Sequence, residues 1–130
     1  MEKKKAMKWV KALRSGKFKQ IKGSLIALNN DKPTGYCCLG VLCEVSGIPL
    51  NHFKIHDALY GDLNQRCGIS DGVGHIKETK SVSIYDINKK KIQLRIGNKY
   101  KSFVSLSEAN DEGASFKSIA SWIEKNYKLL

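Results

Sequence analysis

The sequence predicts a single compact α+β domain over residues 1–130, with small antiparallel sheets packed against N-terminal, central and C-terminal helices. Apolar residues recur with a helical period near both ends of the chain, around 3–15 and 115–127. Between them, Ile92, Leu94 and Ile96 alternate with Gln93 and Arg95, the pattern of a half-buried strand. The resulting order of helix, hairpin, helices, strands and terminal helices is that of an α+β domain. A chain of 130 residues fits one such domain and buries roughly two-thirds of its unfolded surface.

The first predicted helix covers residues 3–15. Ala6, Trp9, Val10 and Leu13 share one face, while Lys4, Lys5, Lys8, Lys11 and Arg14 occupy much of the rest. Gly16 ends it, because glycine takes the left-handed conformation beyond a last turn without steric cost. Residues 18–28 read as a strand broken or bulged at Gly23. Asn29 to Gly35 reads as a turn, being rich in Asn, Asp, Pro and Gly. Tyr36 to Gly47 starts extended and becomes a buried helix whose Cys, Gly and Val residues admit a close neighbour. Pro49 then breaks it. A short helix is expected over 57–67, capped by Asp57 with Leu59, Leu63 and Cys67 facing inward, and Gly68 to Gly74 is loop. Residues 80–104 read as β-structure, with Gly97-Asn98 closing a hairpin into Tyr100–Val104. Ser105-Leu-Ser-Glu108 matches a capping box, and Asn110 to Gly113 reads as a turn. The last helix, about 115–127, places Phe116, Ile119, Ala120, Ile123 and Tyr127 on one stripe behind Ser115 as N-cap.

Charge carries the functional signal. The chain has a formal net charge of +11, and nine of its first 22 residues are Lys or Arg, opposed only by Glu2. Residues 81–105 add a second basic run of +5, whereas 23–80 and 106–130 are each −1. Segregated positive charge implies an anionic partner, because a focused field attracts and orients phosphates. Lysines outnumber arginines 20 to 3, so Arg14, Arg66 and Arg95 stand out for forked phosphate recognition. No apolar run approaches the ~18–20 residues of a membrane span. No apolar stretch follows the charged start, so the expected setting is the cytoplasm. Cys37, Cys38, Cys43 and Cys67 include an adjacent pair and read as reduced thiols rather than a disulfide framework.

Three segments carry a resemblance. They are Trp9-Val-Lys-Ala-Leu-Arg-Ser-Gly-Lys-Phe18, Gly35-Tyr-Cys-Cys-Leu-Gly-Val-Leu-Cys-Glu44, and Leu106-Ser-Glu-Ala-Asn-Asp-Glu-Gly-Ala-Ser-Phe-Lys-Ser-Ile-Ala120. Together they resemble a group of small proteins encoded by tailed phages and prophages. The resemblance implies a phage origin and a life in the host bacterial cytoplasm; it implies no particular chemistry. It skips residues 50–104, where ligand specificity is free to differ.

Four constellations bear on chemistry. Zinc sites use four Cys or His ligands, with pairs two to four residues apart. Here no Cys-x2-Cys occurs and His52-x3-His56 has no partner pair, so buried thiols acting as small hydrophobes account for the cysteines and no metal is assigned. A catalytic cysteine needs an exposed thiol of lowered pKa, whereas Cys37, Cys38 and Cys43 have apolar flanks. His52, His56 and His75 are donors for acid–base work, but a surface or half-buried role is the favoured reading of the His52 and His56 pair. Asn110-Asp111 could read a base edge or ribose, or cap a helix. No glycine-rich phosphate loop is present, and no cofactor is assigned.

The basic segments remain, with aromatics interleaved: Trp9 and Phe18 in the first, Tyr85 and Tyr100 in the second, and Tyr36 just past the first. A cation can hold a phosphate while an aromatic face stacks its base. Trp9 lies on the apolar helix face and reads as core. The candidate ligand-binding residues are Arg14, Lys17, Lys19, Tyr36, Arg95, Lys99, Tyr100, Asn110 and Asp111. The favoured function is a phage counter-defence protein, acting as a homo-oligomer, that sequesters an anionic nucleotide-type signal, such as a cyclic nucleotide or an ADP-ribose derivative, without turnover. The alternative is a basic nucleic-acid-binding regulator or inhibitor. A protein-binding inhibitor and a histidine-dependent phosphodiesterase rank below both.

Overall fold

The computed structural model describes residues 1–47 and 92–130. The helix expected over 57–67, the loop 68–74, the strand signals of 80–91, Arg66, Cys67, Tyr85 and the three histidines lie outside them.

Helix α1 (Lys3–Arg14) buries Ala6, Trp9, Val10 and Leu13, the face that its periodicity marks. Ser15 caps it and Gly16 follows with φ +72°, as a left-handed terminator requires. Beyond it, strand β1 (Ile26–Asn29) pairs antiparallel with β2 (Lys32–Tyr36).

Two expectations are corrected here. The predicted strand over 18–28 is strand only from Ile26. Upstream, the chain touches β2 through a single parallel bridge, Gln20 to Tyr36. The predicted turn 29–35 shrinks to Asn30-Asp31, whose φ values of 48° and 60° suit a two-residue hairpin loop of type I′. Lys32 to Gly35 are therefore strand. Pro33 is accommodated because the ladder is irregular there: Ala27 faces Gly35, Leu28 faces Pro33, and Thr34 is the extra residue.

Helix α2 (Cys38–Val45) is the buried centre, with Cys38 to Cys43 all inaccessible. At Gly40 a Cβ would collide with the Leu25 carbonyl oxygen, so glycine permits this approach. Strands β3 (Ile92–Ile96) and β4 (Lys99–Phe103) form the second hairpin, in which Arg95 stands directly opposite Tyr100. Only the first loop residue, Gly97, has positive φ (+59°), the pattern of a type II′ turn.

Helix α3 (Leu106–Asp111) begins with the predicted cap: the Glu108 amide donates to Ser105 Oγ at 3.1 Å. Glu108 reaches back to the Val104 amide at 2.7 Å, one residue farther than a standard capping box. The expected turn at 110–113 is corrected in part, since Asn110 and Asp111 form the last turn of α3. Helix α4 (Phe116–Asn126), capped by Ser115, buries Phe116, Ile119, Ala120 and Ile123 and passes into a 3-10 turn at Tyr127–Leu129. It packs most extensively on α1, which in turn packs on α2. The architecture is α+β; among the described residues, two two-stranded antiparallel sheets lie beside this helical core. Among the described residues, no helix is long and apolar enough to cross a membrane.

Candidate ligand groove

The predicted site residues fall into three groups. Asn110 and Asp111 are architectural. Asn110 is fully buried, and its side-chain oxygen accepts from Gln20 Nε2 at 2.9 Å and from the Cys38 amide at 3.3 Å. Its Nδ2 donates to the Ile21 carbonyl at 2.8 Å and to Asp111 at 3.1 Å. Asp111 accepts the Gly23 amide at 3.0 Å. Gln20 completes the knot by donating to the Ala114 carbonyl at 2.8 Å and accepting the Phe116 amide at 3.1 Å. This knot holds residues 20–23 out of a regular strand, because their polar groups bond to α3 and to the start of α4.

Arg14, Lys17, Lys19, Tyr36 and Lys99 form the second group, which does not share one pocket. The Arg14 fork is committed to Glu124 at 2.7 and 3.2 Å, and also reaches Ser121 Oγ at 3.3 Å. That pairing raises the Arg14 pKa and lowers that of Glu124. Lys17 and Lys19 are exposed on the segment after α1. Tyr36 is half-buried, edge-on to Phe18 with ring centroids 5.1 Å apart. Burial, then Glu44, raises its hydroxyl pKa. Lys99 is exposed and pairs with Ile96 in the hairpin register.

Arg95 and Tyr100, the third group, meet on one wall of a groove of about 380 Å³ between the β3–β4 hairpin and α4. Lys117, Trp122 and Lys125 form the helical wall, with Ser118, Ser121 and Asn126. Gln93 and Leu94 complete the strand side. Arg95 Nε donates to the Gly97 carbonyl at 3.0 Å, which braces the side chain on its own turn. Tyr100 is 76% exposed and offers an open aromatic face. Among the described residues, none of the three groove cations makes a salt bridge.

Sequence reasoning missed Lys117, Trp122 and Lys125 because residues 106–130 sum to −1. The four acids that produce this sum are engaged elsewhere. Glu108 caps α3, Asp111 holds Gly23, Glu112 lies 3.5 Å from Lys101, and Glu124 holds Arg14. A reading by helix face would have found the site. Lys117, Ser121 and Lys125 follow one another at i+4 spacing, and Trp122 stands outside the buried stripe.

Cys37, Cys38 and Cys43 are buried. Cys37 Sγ caps α2 by accepting the Gly40 amide at 3.4 Å. Cys38 has one S–H and two acceptors in reach, the Cys37 sulfur and the Leu106 carbonyl at 3.4 Å. The Cys38 thiol chiefly pulls the Cys37 pKa down, helped by the Gly40 and Leu39 amides and opposed by burial. Burial pushes the Cys38 pKa well up. Among the described residues, no group of three or more metal-capable side chains gathers.

The geometry thus defines a small α+β protein with a cationic, aromatic-walled groove between a hairpin and its last long helix. The chain belongs to the family described as Domain of unknown function (DUF8296), whose model matches residues 1–127. No curated protein and no solved structure matches it.

Proposed function

We propose that this protein binds an anionic, nucleotide-type ligand in the groove between the β3–β4 hairpin and α4. One observation carries the reading. Arg95, Lys117 and Lys125, each without a salt bridge among the described residues, share a groove with Tyr100 and Trp122. Cations hold phosphate, and aromatic faces stack a base without needing its sequence. In the phage setting implied by the resemblance, the protein acts in the host cytoplasm as a counter-defence sponge that captures a nucleotide immune signal intact. Self-association belongs to this reading, since a second copy would cover the open side at Tyr100.

The test is calorimetric titration of purified protein with mononucleotides, dinucleotides and ADP-ribose, followed by heat release and chromatography of the ligand. Saturation at a fixed stoichiometry and recovery of unaltered ligand support capture; a converted product overturns it. Lys117→Glu with Lys125→Glu abolishes binding, and the melting temperature stays within a few degrees because both side chains are exposed. If a steep fall of affinity with salt appears only for polynucleotides, the nucleic-acid reading replaces this one.

A further inference from the structure

We infer that the groove is built for a ligand with two bases and two or more phosphates, of the dinucleotide class, rather than for a mononucleotide. This rests on the nucleotide reading above and goes one step beyond it. A mononucleotide needs one stacking face and one cluster of cations. This groove offers two aromatic residues on opposing walls, Tyr100 from β4 and Trp122 from α4. Its cations are also spread out. Lys117 and Lys125 lie eight residues apart on one helix, a rise of about 12 Å, and Arg95 is on the other wall. Trp122 falls between the two lysines along the helix.

This order places positive charge at both ends of an aromatic middle. A single terminal phosphate chain, as in ADP, reaches one pole and leaves the other in water. A ligand whose phosphates separate or flank its bases reaches both. The neutral groups between the poles, Ser118 and Ser121 on the helix, are hydroxyls suited to sugar or base edges. Glu124, the acid closest in sequence to Lys125, is turned into its pair with Arg14 and does not line the groove.

Trp9 is 1% exposed, whereas Trp122 lines the groove, so among the described residues ligand-induced changes in tryptophan emission report Trp122. The full chain is titrated with AMP, ADP, the 5′-phosphorylated dinucleotide pApA and a 20-mer of deoxyadenosine. The expected result is that pApA binds on the order of tenfold more tightly than AMP or ADP, the effect of one added stacked base. Tyr100→Ala and Trp122→Ala should each remove most of that gain, with calorimetry reading the second variant. Equal affinity for AMP and pApA overturns the two-base inference and leaves nucleotide binding standing. Failure of all four probes overturns both. Binding of the 20-mer alone, or a per-site preference for it over pApA, overturns the inference in favour of a polynucleotide surface. Circular dichroism of each variant separates lost binding from lost fold.

Discussion

Asn110 shows how a residue with functional looks becomes structural. Its amide has two donors and an oxygen, and all of them are used inside the protein. Replacing it with Ala strands the Ile21 carbonyl and the Cys38 amide and removes one of the two acceptors of Gln20 Nε2. Asn110→Ala should therefore cost roughly 2–4 kcal/mol of unfolding free energy, read by urea denaturation. The thiols give a second prediction at this scale. Burial raises the Cys38 pKa above the usual 9.0, so the folded state keeps a proton that the unfolded chain releases. Stability contributed by that thiol is complete below pH 9.0 and declines as pH rises beyond it. The lowered Cys37 pKa acts in the opposite sense at smaller scale, adding stability once its folded form ionises. The net expectation is a denaturation midpoint that falls above pH 9.0 and falls less steeply in Cys38→Ala.

Among the elements, the seam between α1 and α4 decides the charge of the groove. Arg14 is a positioning residue here: it holds the Glu124 carboxylate in an ion pair outside the groove lining. Arg14→Ala releases a carboxylate next to a cationic site and should weaken nucleotide binding a few-fold. Adding Glu124→Ala should restore it. An Arg14 that touched ligand directly would leave the double variant as weak as the single. The pair is exposed, so neither change should move stability much. Elements with a clean periodicity were legible in the sequence. The α1 and α4 faces, the alternation of Ile92, Leu94 and Ile96, and the Ser105 and Ser115 caps all follow from local spacing. The segment 18–25 was not legible, because its alternation suits a strand while much of its hydrogen bonding runs to Asn110 and Asp111, about 90 residues away. Lys32–Gly35 was misread for a different reason: proline and glycine mark turns by composition, yet a bulged two-stranded ribbon tolerates both.

At the scale of the molecule, the three segments that carry the resemblance meet in the core. Trp9 Nε1 donates to the Cys38 carbonyl at 2.8 Å, Cys38 reaches Leu106, and Asn110 closes the arrangement. They specify architecture. Of the groove's five principal residues, Arg95 and Tyr100 come from the stretch that the resemblance skips, and Trp122 and Lys125 lie past its end at Ala120. Half of the site was therefore readable as charge plus aromatic, and the helical half was concealed by neighbouring acids that cancel it in any sum. A chimera in which the exposed residues of 92–103 are replaced, with the buried Ile92, Leu94 and Phe103 retained, should keep its fold and change its nucleotide preference. Unchanged preference by calorimetry would move specificity to α4.

The sealed sulfur atoms in and beside α2 have a practical corollary. Cys37, Cys38 and Cys43 are each at most 4% exposed, so a thiol reagent reaches them only when the surrounding packing parts. Slow labelling at these positions, followed by mass spectrometry, then measures how often the centre breathes. A molecule lodged at the β3–β4 hairpin slows that labelling only if it stiffens the shared core and not just its own rim.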